Sequence, residues 1–173
     1  MQEAPGRDLR EDRPLEIVDA DLARRDHAEG VLRVLDSYAS DPVGGGRPLA
    51  DDVRERLVPG LRAHPTAHAL LALSDGRAVG VIVWLLGFST FAARPLLNLH
   101  DVAVLPEWRG RGIGRALLEA AEARGRQHGC CKLTLEVQDD NARARGLYRS
   151  FGFEDFEIGG SGPTRFLEKR LVS

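Results

Sequence analysis

A mixed α/β (α+β) protein is predicted, with a central β-sheet carrying helices on both faces. Three observations predict it. Apolar runs of strand length recur along the chain, as at Leu15–Val18, Arg77–Gly87 and Leu96–Leu105. Between them, apolar residues step at helical spacing, as at Ile113, Leu117, Leu118 and Ala121. One run, Leu96–Leu105, passes straight through a glycine-rich loop into such a helical segment. The predicted order is β-α-α-β-β-β-α-β-α-β-β.

The elements follow from local signals. Residues 1–13 carry seven charged groups and almost nothing apolar, and read as a mobile tail; residues 14–173 read as a single domain. Leu15–Val18 is a first strand. Asp19 or Asp21 caps a helix running to about Tyr38. Residues 41–48 hold two prolines and three glycines and read as a flexible loop. Leu49 to about Val58 is a second helix that Pro59-Gly60 should end or kink. Ala67–Leu73 and Arg77–Gly87 form a hairpin across Ser74-Asp75-Gly76. Phe88–Pro95 is a loop, and Leu96–Leu105 the next strand. The helix after the glycine-rich loop runs to about His128, with Gly129 suited to its C′ position. Lys132–Gln138 is another strand, Asn141 opens the next helix, and Phe151-Gly152-Phe153 closes it. A strand from Phe153 to Ile158, a turn over 159–163 and a strand from Arg165 to Val172 complete the reading.

Composition excludes several classes. The net charge of −2 gives no basic surface for nucleic acid. The longest apolar run, Val79–Phe88, is shorter than the ~20 residues that span a bilayer, and no apolar leader opens the chain. Neither a membrane nor a nucleic-acid partner is expected. Cys130 and Cys131, the two cysteines, are adjacent. Neighbouring cysteines rarely form a relaxed disulfide, so they read as two small buried side chains in a reducing, cytoplasmic setting. With no clustered histidines, no metal site is expected.

The chemistry sits in Arg109-Gly-Arg-Gly-Ile-Gly114. A strand feeding a glycine-rich loop onto a helix N-terminus builds an anion site. The first-turn N–H groups lack intrahelical partners, and the helix dipole adds positive charge there. The dinucleotide spacing G-x-G-x-x-G fails, because the glycines fall at 110, 112 and 114. The P-loop pattern fails as well, because no Gly-Lys-Ser or Gly-Lys-Thr occurs. What fits is R-x-x-G-x-G, read as Arg109, Gly112 and Gly114.

With that loop between strand and helix, a second strand after it, Asn141 seven residues before Tyr148, and Gly152-Phe153 closing the last helix, residues 96–153 resemble the GNAT-type N-acetyltransferase superfamily. The resemblance implies a GNAT-like domain in which the two central parallel strands splay into a V. It implies acetyl-CoA as cosubstrate, held by Gly110, Arg111, Gly112, Ile113, Gly114 and Arg115 around its diphosphate, with Arg109 and the other arginine side chains adding charge. Val102, Ala103 and Val104 would pair with the pantetheine arm as an added strand would. An N–H near Val104 would polarise the thioester carbonyl. The acetyl group would pass directly to an amine, in keeping with the lack of a Ser-His-Asp or Cys-His signature.

Tyr148 is the expected general acid, since a phenol with pKa of about 10 still holds its proton at neutral pH. Asn141 would cap its helix and contact the pantetheine arm. His100 is the candidate general base, equally readable as a hydrogen-bonded strand histidine; period-two alternation sets it on the same face as Val102, with Asp101 on the other, where it would anchor a loop or helix. Spermidine/spermine N-acetyltransferases have a similar Asp-x-x-Val strand ending, with Glu where this chain has His100. Glu136 is the second base candidate. Trp84 and Trp108 read as core or lid residues, and Phe88 and Phe91 as lining for an acceptor pocket. Tyr38, Asp41 and Gly44-Gly45-Gly46 resemble the family's acceptor-side region, with Asp36 and Asp41 read as solvated carboxylates. The expected acceptor is a small-molecule amine, polyamine-like or amino-acid-like. A protein lysine or N-terminal acetyltransferase and a non-catalytic acyl-CoA-binding regulatory module are the alternatives. The family's habit of pairing implies a homodimer.

Overall fold

The computed structural model describes residues 14–156. The described residues fall into two compact units, divided between Leu135 and Glu136.

In the first unit, five strands form one sheet in chain order: β1 (Leu15–Asp19), β2 (Ala67–Ser74), β3 (Arg77–Ser89), β4 (Arg94–Val104) and β5 (Leu133–Leu135). Neighbours from β1 to β4 are antiparallel, and β5 runs parallel to β4. The β2–β3 hairpin turns on Asp75 and Gly76, both with positive φ (50° and 70°). That is the two-residue turn whose twist matches the strands, and Asp-Gly is well suited to it.

Helices cover both faces. The helix α1 (Arg25–Ser40) sets Val31, Val34 and Leu35 against Ala69, Leu71, Val81, Val83, Ala103 and Leu105; Leu57 and Leu61 of α2 (Asp51–Ala63) pack on this core. Gly30 is needed at the α1–β3 contact, because a Cβ there would sit 2.7 Å from the Ala78 Cβ. The opposite face meets α3 (Ile113–Gln127). Gly80 lies under Leu117 and Ile113, and Gly125 under Leu97 and Leu133. Ile113, Leu117, Leu118 and Ala121 are buried, as their spacing predicts.

Several boundaries differ from expectation. Neither Asp19 nor Asp21 caps α1, whose N-cap is Arg24 with no side-chain capping bond. Asp21 instead closes its own turn, accepting from Ala23 N–H at 2.9 Å, while its N–H donates to His27 Nδ1 at 3.0 Å. Helix α2 starts at Asp51 and continues through Pro59 to Ala63. Proline forfeits one N–H bond there, and α2 buries no residue that would demand strict geometry. The loop expected from Phe88 to Pro95 shrinks to residues 90–93, because Phe88 and Ser89 still pair with Pro95 and Arg94. The loop over 41–48 contains a short 3₁₀ turn, Pro42–Gly44.

Strand β5 has three residues where seven were expected, so the β4–β5 ladder holds only Leu97–Leu99 against Leu133–Leu135. Helix α3 ends as predicted, with Gly129 at φ 66°.

In the second unit, α4 (Ala142–Phe151) is opened by Asn141 and closed by Gly152 at φ 98°. Residues 153–156 are not in a strand. The expected tail over 1–13, the rest of the Phe153–Ile158 strand, the 159–163 turn and the Arg165–Val172 strand lie outside the described residues.

Candidate active site

The glycine-rich loop has the geometry that anion binding requires. After β4, a short turn over Pro106–Trp108 is closed by Trp108 N–H on Leu105 O at 2.9 Å. Gly110 and Gly112 then adopt φ of 77° and 76°, the left-handed region that L side chains resist. Among the described residues a Cβ at either would meet nothing within 4 Å, so conformation, not crowding, calls for glycine. Gly112 is the N-cap of α3 and supplies no capping side chain. The first bond of the helix runs from Ala116 N–H to Gly112 O. The N–H groups of Ile113, Gly114 and Arg115 therefore stand outside the intrahelical ladder at the positive end of the dipole. The Ile113 side chain is 3 % exposed and anchors this start in the core. A row of first-turn amides outside the helix ladder, at a positive helix end, fits a diphosphate.

The three arginines are used differently. Arg111 lies over the Trp108 ring, its Cζ 5.0 Å from the centroid. Arg115 approaches Glu119 at 4.0 Å, one turn along α3. Arg109 turns inward. Its Nε donates to Val104 O at 3.1 Å, and its Nη2 lies 2.9 Å from Asp41 Oδ2. The side chain expected to add charge to the phosphate loop is committed to the protein, leaving Arg109's backbone as its part of the loop.

The end of β4 shows a feature that alternation did not reveal. Val83 pairs with Asp101, but the next residue, Trp84, pairs with Leu99, leaving His100 as an extra residue in β4. Such a bulge shifts the side-chain phase by one. Val102 faces as Ile82 does, toward α3, whereas Asp101 and Ala103 face as Val83 and Val81 do, toward α1. His100 is exposed at the irregularity, and its face cannot be counted back from Val102 in steps of two. Past Leu99 the edge of β4 has left its ladder with β5, so residues 100–104 extend five positions beyond that pairing.

Asp101 is half-buried. Burial pushes its carboxyl above the ordinary range, and the neighbouring His100 partly offsets this. Tyr38, near the end of α1, has its phenol pushed up by burial and then by the charges of Asp101 and Asp41. Alternation from Val102 set Asp101 on the opposite face, toward a helix, and it does face α1; the grouping with Tyr38 and Asp41 was missed because those residues come from a part of the chain far from β4. Asp36 and Asp41, read as solvated, are engaged. Asp36 pairs with Arg54 and accepts from Leu49 N–H at 2.9 Å, and Asp41 pairs with Arg109. Phe88 on β3 and Phe91 in the loop after it are both exposed.

In the second unit, Asn141 Oδ1 accepts from Ala144 N–H at 3.1 Å, the cap its sequence position predicts. Tyr148 is buried in α4 and meets Phe153 edge to face at 5.8 Å between ring centres. Glu136 is exposed and follows β5.

A groove of about 610 Å³ lies at the other end of α3, lined among others by Asp19, His68, Trp84, Arg124 and His128. It contains none of the predicted site residues. Among the described residues, no group of three or more His, Cys, Asp or Glu could hold a metal. No helix among them is long and apolar enough to cross a membrane.

The family model described as "Acetyltransferase (GNAT) family" matches residues 31–153. The chain belongs to this family. GNAT membership makes it an acetyl-CoA-dependent N-acetyltransferase acting on an amine. It is 34% identical over 113 residues to the aminoglycoside N(6')-acetyltransferase type 1 of Stenotrophomonas maltophilia, covering 64% of this chain and 74% of that protein. It is 36% identical over 77 residues to the thialysine N-epsilon-acetyltransferase of Bos taurus, covering 44% of this chain and 45% of that one. The solved structure of AAC(6')-Iy in complex with the bisubstrate analog CoA-S-monomethyl-acetylneamine shares the fold, with a TM-score of 0.69 at 21% identity over 91% of this chain and 99% of that one.

Proposed function

We propose that this GNAT enzyme acetylates a primary amine of a small molecule, polyamine-like or amino-acid-like, and that residues of the R-x-x-G-x-G loop hold the diphosphate of its cosubstrate. The observation that carries this reading is the N-terminus of α3, where first-turn amides outside the helix ladder follow two left-handed glycines. The small-molecule acceptor draws support from two relatives whose names specify small amines, an aminoglycoside and thialysine.

In this reading the backbone from Gly110 to Arg115 binds the diphosphate, and Arg111 and Arg115 add charge. The edge of β4 at Val102, Ala103 and Val104 pairs with the pantetheine arm, in the stretch where β5 no longer does. Acetyl-CoA supplies an acetyl thioester when bound. An N–H near Val104 polarises that carbonyl. An aliphatic ammonium, with a pKa of about 10.4, must lose a proton before it can attack. His100, exposed at the bulge, is the residue assigned to take it, with Glu136 as the second candidate. As the C–N bond forms and the C–S bond breaks, Tyr148 gives its proton to the departing thiolate and is restored by the surplus proton that the acylated nitrogen sheds, while Asn141 sets the start of the helix that carries Tyr148.

The test is thiol release from acetyl-CoA with a panel of diamines, amino acids, aminoglycosides and lysine-containing peptides. Turnover with a small amine and none with peptides is the expected result. Turnover with peptides alone would replace this reading with protein acetylation. CoA binding without turnover on any amine would leave a regulatory CoA-binding module. In the same preparation, His100→Ala and Glu136→Gln pH–rate profiles identify the base, because only the true base removes the acidic limb. Sedimentation velocity tests the homodimer that belongs to the same proposal.

A further inference from the structure

Asp41 sits at the centre of the turn that ends α1. Its N–H donates to Tyr38 O, and its own carbonyl accepts from Gly44 N–H at 2.8 Å and Gly46 N–H at 3.0 Å. One carboxylate oxygen accepts from Val43 N–H at 3.1 Å, and the other meets Arg109 Nη2 at 2.9 Å. Gly44 packs so closely on α1 that a Cβ would lie 1.9 Å from Tyr38 O. The proline- and glycine-rich turn is thus organised by one aspartate.

Arg109 carries that order across the fold. Its guanidinium joins Asp41, and its Nε holds Val104 O, the last residue of β4. The next residue, Gly110, begins the left-handed stretch that leads to the amides of α3. The side chains of Arg109 and Asp41 are only 22% and 15% exposed, so solvent screens the pair weakly. A planar fork binding two acceptors at once fixes direction as well as distance.

We propose that Asp41 is a positioning residue for the phosphate loop: through Arg109 it couples the turn over 41–46 to cofactor binding at 110–115. This rests on the proposed placement of the diphosphate. Coupling of this kind is reciprocal, so CoA binding tightens the turn by the same factor by which the ordered turn tightens CoA.

Hydrogen–deuterium exchange on the full chain, with and without CoA, reads both segments in one experiment. In the wild type, CoA is expected to slow exchange across 109–115 and also across 41–48. Asp41→Asn keeps an oxygen for Val43 N–H but removes the charge that holds Arg109. It should protect 109–115 on CoA addition, lose the protection at 41–48, and raise the CoA Kd by roughly five- to tenfold, the low end of ordinary coupling. Asp52→Asn, which removes an equal charge from the exposed pair with Arg56, should behave as the wild type. Wild-type protection confined to 109–115, or an unchanged Kd in Asp41→Asn, overturns the coupling while leaving the phosphate-loop assignment intact. Absence of protection at 109–115 in the wild type overturns both. The wild-type exchange pattern decides the question even if Asp41→Asn folds poorly.

Discussion

The two ends of α3 offer a controlled measurement of what the phosphate loop requires. Gly112 precedes the helix at φ 76° and Gly129 follows it at φ 66°; among the described residues a Cβ at either would meet nothing within 4 Å. Alanine at either position therefore adds no clash, only the strain of an L residue in the left-handed region. That strain is roughly 1–2 kcal/mol. For a chain of this size each kcal/mol lowers Tm by about 2–4 °C. Gly129→Ala should show this loss of stability and bind CoA as the wild type does.

At Gly112 the same strain has two outlets. If the loop keeps its shape, it appears in Tm. If the loop relaxes, Tm is spared and the strain reappears when CoA forces the bound geometry. The Kd then rises roughly 5–30-fold, from 1.4 kcal/mol per factor of ten. Differential scanning fluorimetry and isothermal titration with CoA measure the two outlets, and together they must account for the whole strain. Gly112→Ala with wild-type Tm and wild-type Kd would refute the argument. So would a Gly129→Ala variant that loses CoA as severely as Gly112→Ala, because the effect would then belong to α3 as a whole.

Other consequences are equally direct. Tyr148→Phe should lower kcat by about 10²-fold or more while leaving the KM for acetyl-CoA nearly unchanged, as steady-state kinetics will show; wild-type turnover removes the phenol from the proton inventory. Asp101 has its carboxyl pKa raised by burial, so the folded state holds its proton to higher pH than the unfolded chain. Its contribution is fully present below the ordinary value near 3.8 and is lost as pH rises through the raised value. Asp101→Asn should therefore flatten the Tm profile above about pH 4 and raise neutral-pH stability relative to wild type; an unchanged slope in thermal melts would contradict the assignment. Gly30→Ala should destabilise by roughly 1–3 kcal/mol through overpacking, because its Cβ would approach the Ala78 Cβ to 2.7 Å. Adding Ala78→Gly should recover part of that loss in urea denaturation, and strict additivity of the two substitutions would show that the clash lies elsewhere.

The sequence was most legible where a local rule decides the outcome. Asp75-Gly76 demanded a tight hairpin, Gly129 and Gly152 closed helices at positive φ, and Asn141 capped α4, because each depends only on residues a few positions away. The conformation of the glycine-rich loop, which we propose holds the diphosphate, was legible for the same reason. Arg109 was not: its charge pointed to phosphate, but its partner Asp41 comes from a turn far back in the chain, and only the folded backbone brings them together.

The bulge at His100 was hidden more deeply. Leu97, Leu99, Ala103 and Leu105 are apolar at odd positions, with Asp101 among them, so period-two counting sets all five on one face. In the fold, Leu97 lies against the α3 side, with Leu99 opposite Trp84, whereas Ala103 and Leu105 belong to the core under α1. An alternating pattern fixes the phase of a strand only when one face must meet water, since a slip would then expose the apolar set. Here helices cover both faces and each phase mixes apolar residues with polar ones (Asp101 in one, Asn98 and His100 in the other), so the letters do not fix where the phase slips. What the shift changes is polar: it turns Asp101 toward Tyr38 and leaves His100 exposed at the irregularity. Asp101's direction relative to Val102 was therefore readable from sequence, while that of His100, at the bulge, had to come from the register of β3 against β4.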